Sequence, residues 1–195
     1  MTNESAAELQ PCSALRISET ILKTGQLEAM KRWYTTVLGV APFFEHAPPP
    51  GIRPGDFGGQ TRASDLRMCF FRLSLDYPNV QSIGLFEEPG TGPAARNAAG
   101  LHHMQLMTAD LDTLCDKYGE LKDHDLHPHR STDHGPFTSF YYRDPDGNNV
   151  EITAQNFPSM AAMAEFMASP EFLANPSGSE IDAESFIARR RSVTA

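Results

Sequence analysis

The chain has 195 residues, 40% of them apolar, with 16 Lys and Arg against 25 Asp and Glu for a formal net charge of −9. That length buries a full core without disulfide or metal staples, and the acid excess argues against a partner held through nucleic-acid phosphates and disfavours docking on an anionic membrane surface. No apolar run reaches the roughly 20 residues of a membrane-spanning helix.

The first eleven residues carry Glu4 and Glu8 and lack the basic flank and apolar stretch of a secretory signal. Cys12, Cys69 and Cys115 have no metal-type spacing and read as free thiols in a reducing cytoplasm. From Leu15 the apolar residues first alternate (Leu15, Ile17) and then take helical spacing through Leu27, Met30, Trp33, Tyr34, Val37 and Leu38, with Gly39 as the stop. Ala41–Glu45, Leu66–Leu73 and Val80–Phe86 read as strands. Pro48-Pro49-Pro50-Gly51 through Gly58-Gly59 reads as a surface loop, and Pro89–Gly100 as a linker.

The plan then repeats. Leu101, Met104 and Leu106 alternate, and Leu111, Leu114, Cys115, Tyr118 and Leu121 follow at helical spacing. Placing Leu27 on Leu111 also places Tyr34 on Tyr118, each seven residues further on. Leu126–Arg130, Thr138–Tyr142 and Asn149–Thr153 are the strands of this second copy. The predicted fold class is therefore α+β: two tandem βαβββ modules, 14–88 and 101–156, forming one domain over 14–156. Residues 157–195 form a helical arm, in which Met160, Met163, Phe166 and Met167 make a packing stripe, Ser169-Pro170 starts one helix and Asp182 caps Ala183–Arg190.

Seven histidines occur, most of them in turns or among charges. His127-Pro128-His129 is too exposed a pair to compete with water for a metal on its own. His102 and His103 open a strand. Alternation puts His102 with Met104 and Leu106 toward the helix, and His103 with Gln105 and Met107 on the opposite surface. His103 stands eight residues before Leu111, as Glu19 stands eight before Leu27, so the two modules present an imidazole and a carboxylate at equivalent positions. The run Phe140 to Glu151 is a hairpin turning at Asp144-Pro145-Asp146-Gly147-Asn148, and it places Glu151 in the middle of a strand pattern, where Glu is depleted. A solvent-facing strand residue is the competing reading of Glu151.

These paired modules, His103, and the Phe140–Glu151 hairpin resemble the vicinal oxygen chelate superfamily, which holds glyoxalases, bleomycin-resistance proteins and type I extradiol dioxygenases. The Asn175-Pro176 tail is similar to that of the catechol or biphenyl-diol dioxygenase-like group. The resemblance implies a metal held by His103, Glu151 and Glu19, Fe(II) first, with Mn, Ni, Zn or Mg as alternatives. It implies Tyr141, ten residues before Glu151, as the hydrogen-bond partner of a bound substrate oxygen. It further implies His134 as acid/base on the ring hydroxyl; the family's histidine precedes that Tyr by nine residues, where this chain has Thr132. Glu19 departs from the family's usual His and makes the ligand set harder and more negative. Glu87 is the nearest candidate for the fourth ligand that acid-rich branches carry. The activity implied is ring cleavage of a catechol-type diol with O₂ by a cytoplasmic homodimer. A Lewis-acid isomerase or lyase on the same fold and a metal-free small-molecule binding protein are the alternatives.

Overall fold

Apolar spacing and capping chemistry set the helices, and the computed structural model shows how strands assemble around them. It describes residues 13–93, 97 and 99–194. The stretch read for a secretory signal, Cys12, and parts of the predicted linker (94–96 and 98) lie outside the described residues. The chain divides into two units: Ser13–Gly100 with Asp144–Asn148, and Leu101–Arg143 with Asn149–Ala195.

The first unit contains β1 (Glu19–Thr24), α1 (Leu27–Leu38), β2 (Phe44–His46), β3 (Asp56–Phe57), β4 (Gln60–Thr61), β5 (Arg67–Ser74) and β6 (Gln81–Glu87). Four of these form a sheet in the order β1-β6-β5-β2, with β1 parallel to β6 and the other pairs antiparallel. Helix α1 begins at Leu27, as its period predicts, and buries Leu27, Met30, Trp33, Tyr34 and Val37. It ends where Gly39 turns left-handed (φ 69°) and its N–H caps the Thr35 carbonyl. The buried face meets Cys69, Phe71, Ile83 and Leu85 on β5 and β6, each large side chain contributing about 1.5–3 kcal/mol. The stretch read as an irregular loop is partly ordered: β3 and β4 pair as a hairpin, followed by a 3₁₀ turn over Ala63–Asp65. Two-residue strands are too short for any period to register, which is why the sequence reads there as loop.

The turn Asp144–Asn148 belongs to this unit. Asp144 Oδ1 accepts the backbone N–H groups of Asp146 and Asn148 at 3.0 and 2.8 Å, and Oδ2 accepts Asn148 Nδ2 at 2.8 Å and the buried Tyr34 hydroxyl at 3.2 Å. Gln26 Nε2 donates to the Pro145 carbonyl and to Asp146 Oδ1.

The second unit contains β7 (Met104–Met107), α2 (Leu111–Asp123), β8 (Arg130–Asp133), β9 (Phe137–Arg143) and β10 (Asn149–Gln155). Then follow α3 (Met160–Met167), α4 (Pro170–Ala174), β11 (Ser179–Glu180) and α5 (Ala183–Thr194). The sheet order is β11-β8-β9-β10-β7, with β7 parallel to β10, so the second module repeats the topology of the first and adds one strand. Helix α2 starts at Leu111 with Asp110 accepting the Thr113 N–H at 2.8 Å. Its buried Leu114, Cys115, Tyr118 and Leu121 form a core with Phe140, Tyr142, Val150, Ile152 and Ala154.

The C-terminal segment is helical, and the predicted caps Ser169 and Asp182 each accept a backbone N–H of the following turn, as does Ser159, which the sequence reading does not name. Its strand β11 pairs with β8, which leaves that edge covered. The pairing requires glycine at Gly178, since a Cβ there would lie 2.2 Å from the Asp133 carbonyl oxygen. Of the predicted methionine stripe only Met163 is buried, while Met160 and Met167 are exposed. Among the described residues no helix is long and apolar enough to cross a membrane.

Candidate metal centre

Strand register in the second unit assembles one row of side chains. Arg130 pairs with Tyr141 across β8–β9, Tyr141 with Glu151 across β9–β10, and Glu151 with Gln105 across β10–β7. Paired residues share a face, so these four point away from the α2 core, and the 3.0 Å approach of His103 Nε2 to Glu151 Oε2, rather than strand alternation, brings His103 to the same face. Glu151 is 2% exposed. The competing reading of Glu151 as a solvent-facing strand residue is therefore wrong, and a buried carboxylate at mid-strand must be held by partners.

The partners are those the sequence singles out. The Tyr141 hydroxyl donates to Glu151 Oε1 at 2.9 Å, and His103 Nε2 lies 3.0 Å from Glu151 Oε2. His134 Nε2 lies 2.8 Å from the Tyr141 hydroxyl. Because that hydroxyl has spent its proton on Glu151, His134 is the donor to it. Although His134 precedes Tyr141 by seven residues, it reaches the phenol from just beyond the end of β8. Burial, followed by the charge and hydrogen bond of Glu151, pushes the Tyr141 phenol above its ordinary pKa, with Arg130 opposing. The phenol is thus kept protonated as a donor.

Two contributors escape sequence reasoning. The Arg130 guanidinium sits 3.9 Å from the centroid of the Tyr141 ring, and the His129 ring lies parallel to the same ring. Only the β8–β9 register reveals this, and the predicted strand Leu126–Arg130 ends where β8 begins. The predicted placement of His102 is also corrected. Regular β7 structure starts at Met104, so alternation does not extend back to His102, which is exposed and sets its Nδ1 2.7 Å from His103 Nδ1.

Glu19 belongs to the first unit, where it is exposed at the start of β1 and accepts the Ser82 hydroxyl at 3.3 Å. It shares the open face of β1 with Ile21 and Lys23. These two help line a cavity of about 780 Å³ with Leu66, Phe86 and the Thr61 hairpin, and the Lys23–Glu88 ion pair borders it. Glu87 does not stand on that face. Alternation places it with Ile83 and Leu85 on the α1 side, where it pairs with Arg67 at 2.9 Å. Among the described residues, no group of three or more His, Cys, Asp or Glu side chains gathers as a metal site, His127 and His129 included.

Comparing the two units by their helix starts puts Gly84 where the second has Glu151, and Phe70 where it has Tyr141. A Cβ on Gly84 would lie 2.4 Å from Ile21 Cδ1 and 2.9 Å from Phe70 Cε1. Apolar side chains fill the space that a carboxylate needs, so the first module keeps only Glu19 from the equivalent set.

Residues 16–152 match the model of the Glyoxalase/Bleomycin resistance protein/Dioxygenase superfamily, and the chain belongs to that family. Two curated relatives from Rhodococcus globerulus are similar over most of their length. Biphenyl-2,3-diol 1,2-dioxygenase 3 is 33% identical over 84% of this chain and 75% of its own, and biphenyl-2,3-diol 1,2-dioxygenase 2 is 30% identical over 86% and 77%. Among solved structures, a glyoxylase/bleomycin resistance protein/dioxygenase domain from Frankia sp. EAN1pec covers 74% of this chain and 100% of its own. It aligns with a TM-score of 0.55 at 19% identity, a likeness of fold alone.

The dioxygenase relatives imply a divalent metal, and the residues in the second unit suit one. An imidazole nitrogen and a carboxylate oxygen are the donor types that such ions take. Two ligands at right angles on an ion with bonds of about 2.1 Å stand about 3 Å apart, and His103 Nε2 and Glu151 Oε2 are 3.0 Å apart. The other oxygen of Glu151 is held by Tyr141, which orients the carboxylate toward His103.

Proposed function

We propose that the protein is an extradiol-type ring-cleavage dioxygenase acting on a catechol-type aromatic diol with O₂. The observation that carries this reading is the continuous run His134–Tyr141–Glu151–His103, in which every predicted second-module residue touches its neighbour. The names of the two Rhodococcus relatives support the same reaction class.

In this proposal His103 and Glu151 hold the metal, Fe(II) first. Glu19 is the third ligand on the strength of the module repeat alone. When bound, the metal supplies a Lewis-acidic centre with open positions for the diol and O₂. The protein's own groups do the rest. Tyr141, kept protonated, presents a hydroxyl that orients an incoming diol oxygen, and Arg130 fixes the plane of its ring. His134, with one nitrogen on that hydroxyl, is placed to take a proton from the diol and return it to the product. Buried Ser139 and Thr153, linked at 2.9 Å on the same face, leave that surface polar but self-satisfied. A cytoplasmic homodimer without nucleic-acid or membrane partners completes the proposal.

The test is anaerobic loading with Fe(II), Mn²⁺, Ni²⁺, Zn²⁺ or Mg²⁺, metal analysis, and then catechols and biaryl diols under air in an oxygen electrode. Stoichiometric O₂ uptake with a yellow ring-fission product is expected for at least one diol. It should fall at least about 100-fold in His134→Ala and Tyr141→Phe. Metal uptake without O₂ consumption by any diol overturns the dioxygenase reading and leaves Lewis-acid isomerisation. Absence of metal uptake leaves the binding-protein reading.

A further inference from the structure

The contact between His102 and His103 joins two nitrogens of the same kind. Their Nδ1 atoms are 2.7 Å apart, with the rings nearly perpendicular at 78°. A hydrogen bond at that distance needs one proton between the two atoms, so one ring carries N–H at Nδ1 and the other a lone pair. The other nitrogen of His103 decides which. In the structure His103 Nε2 faces Glu151 Oε2 at 3.0 Å. An ionised carboxylate only accepts, so a neutral His103 carries its proton at Nε2 and accepts at Nδ1 from His102.

Binding a cation through Nε2 requires the opposite arrangement. The Nε2 lone pair must be free, so the single proton of neutral His103 sits on Nδ1 and needs an acceptor. His102 can provide one because its Nε2, on an exposed ring, can carry its proton in turn. Each ring keeps one proton throughout and only the nitrogen bearing it changes. A metal-binding histidine is generally held by a partner on its second nitrogen, at a cost of about 10- to 100-fold in affinity when the partner is removed.

We infer that His102 is the positioning residue of the metal centre: its Nδ1 holds the His103 ring and accepts the Nδ1 proton that frees Nε2 for the metal. This rests on the proposed metal role of His103 and Glu151. The contact sets an exposed imidazole against a half-buried one through Nδ1 rather than out to solvent.

The experiment measures Zn²⁺ affinity by titration calorimetry, with no turnover needed, for the wild type and for His102→Ala, His102→Phe, His102→Gln and His103→Ala. The expected result is binding weakened about 10- to 100-fold in His102→Ala and His102→Phe. His102→Gln, whose amide can donate or accept, should return to within about threefold of wild type. Imidazole ¹H–¹⁵N spectra should show His103 protonated at Nε2 without metal and at Nδ1 with Zn²⁺. The metal-free melting temperature should not move in the His102 variants, since the side chain is exposed. Wild-type affinity in His102→Ala, or a His102→Gln as weak as His102→Ala, overturns the inference while leaving the metal centre intact. Wild-type protein that takes up no Zn²⁺, or His103→Ala that binds as tightly as wild type, overturns the metal-centre reading and this inference with it.

Discussion

Replacing Asp144 by Ala probes the turn that joins β9 to β10, and so the hairpin that carries both Tyr141 and Glu151. Four donors converge on this one carboxylate: two backbone N–H groups, the Asn148 amide and the Tyr34 hydroxyl. The Tyr34 side chain is fully buried, so its hydroxyl has no water to turn to and losing its acceptor costs about 1–3 kcal/mol. The three turn donors are only part-buried and regain water, so together they add about 2 kcal/mol more. Asp144→Ala should therefore destabilise by about 3–5 kcal/mol, a large part of the stability of an ordinary domain. Asp144→Asn keeps an oxygen for the two backbone N–H groups, and the Tyr34 hydroxyl can accept from its amide, so it should cost less than half as much. Urea denaturation followed by circular dichroism reads both. Adding Tyr34→Phe removes the stranded hydroxyl and should recover about 1 kcal/mol of the Ala variant's loss. An Asp144→Ala protein within about 0.5 kcal/mol of wild type would refute the claim that this carboxylate organises the turn.

Other predictions test the core and its titration. Tyr142 buries a hydroxyl that has no hydrogen-bond partner among the described residues, so Tyr142→Phe should leave stability unchanged or raise it by about 1 kcal/mol, measured by the same denaturation. Burial pushes the Cys69 thiol up to about 11 and raises that of Cys115, and among the described residues neither forms a disulfide. In a Cys12→Ser background, an aromatic disulfide reagent at pH 8 should therefore label no thiol until denaturant is added. Burial and the bond to Glu184 push the Tyr118 phenol up to about 12, above the value of about 10 expected when unfolded. A pKa raised on folding contributes in full below pH 10 and is lost as pH rises through 12. The unfolding free energy should thus drop across pH 10–12 in wild type, and Tyr118→Phe should remove that slope.

The helix starts were legible because capping and period act over a few residues. Leu27 and Leu111 each begin a helix where the apolar spacing changes, and in the structure Asp110 caps the second. Part of the candidate site is readable through the same repeat. Counting back from the helices singles out His103 and alternation sets Glu151 apart from Val150 and Ile152, whereas Tyr141 and His134 enter only through the family resemblance. His102 was misplaced because alternation holds only inside a pleated strand, and β7 begins two residues later. Glu87 looked available because sequence position near a strand end does not say which face is buried. The pairing with Arg67 on the α1 side does.

Two tandem βαβββ modules, an imidazole opening the second and a carboxylate midway along its last strand are readable from the chain alone. These follow from local rules, the 3.6- and 2-residue periods, which need no partner to be read. Which atoms meet depends on pairing between distant segments. The register across β8, β9, β10 and β7 set Arg130, Tyr141, Glu151 and Gln105 in one row, and the 3.0 Å approach of His103 to Glu151 made two separate residues a donor pair. Close packing also decided that the first module has no such row, because Ile21 and Phe70 close over Gly84. Register and close packing are relations between distant segments, and no window of sequence contains both sides of them.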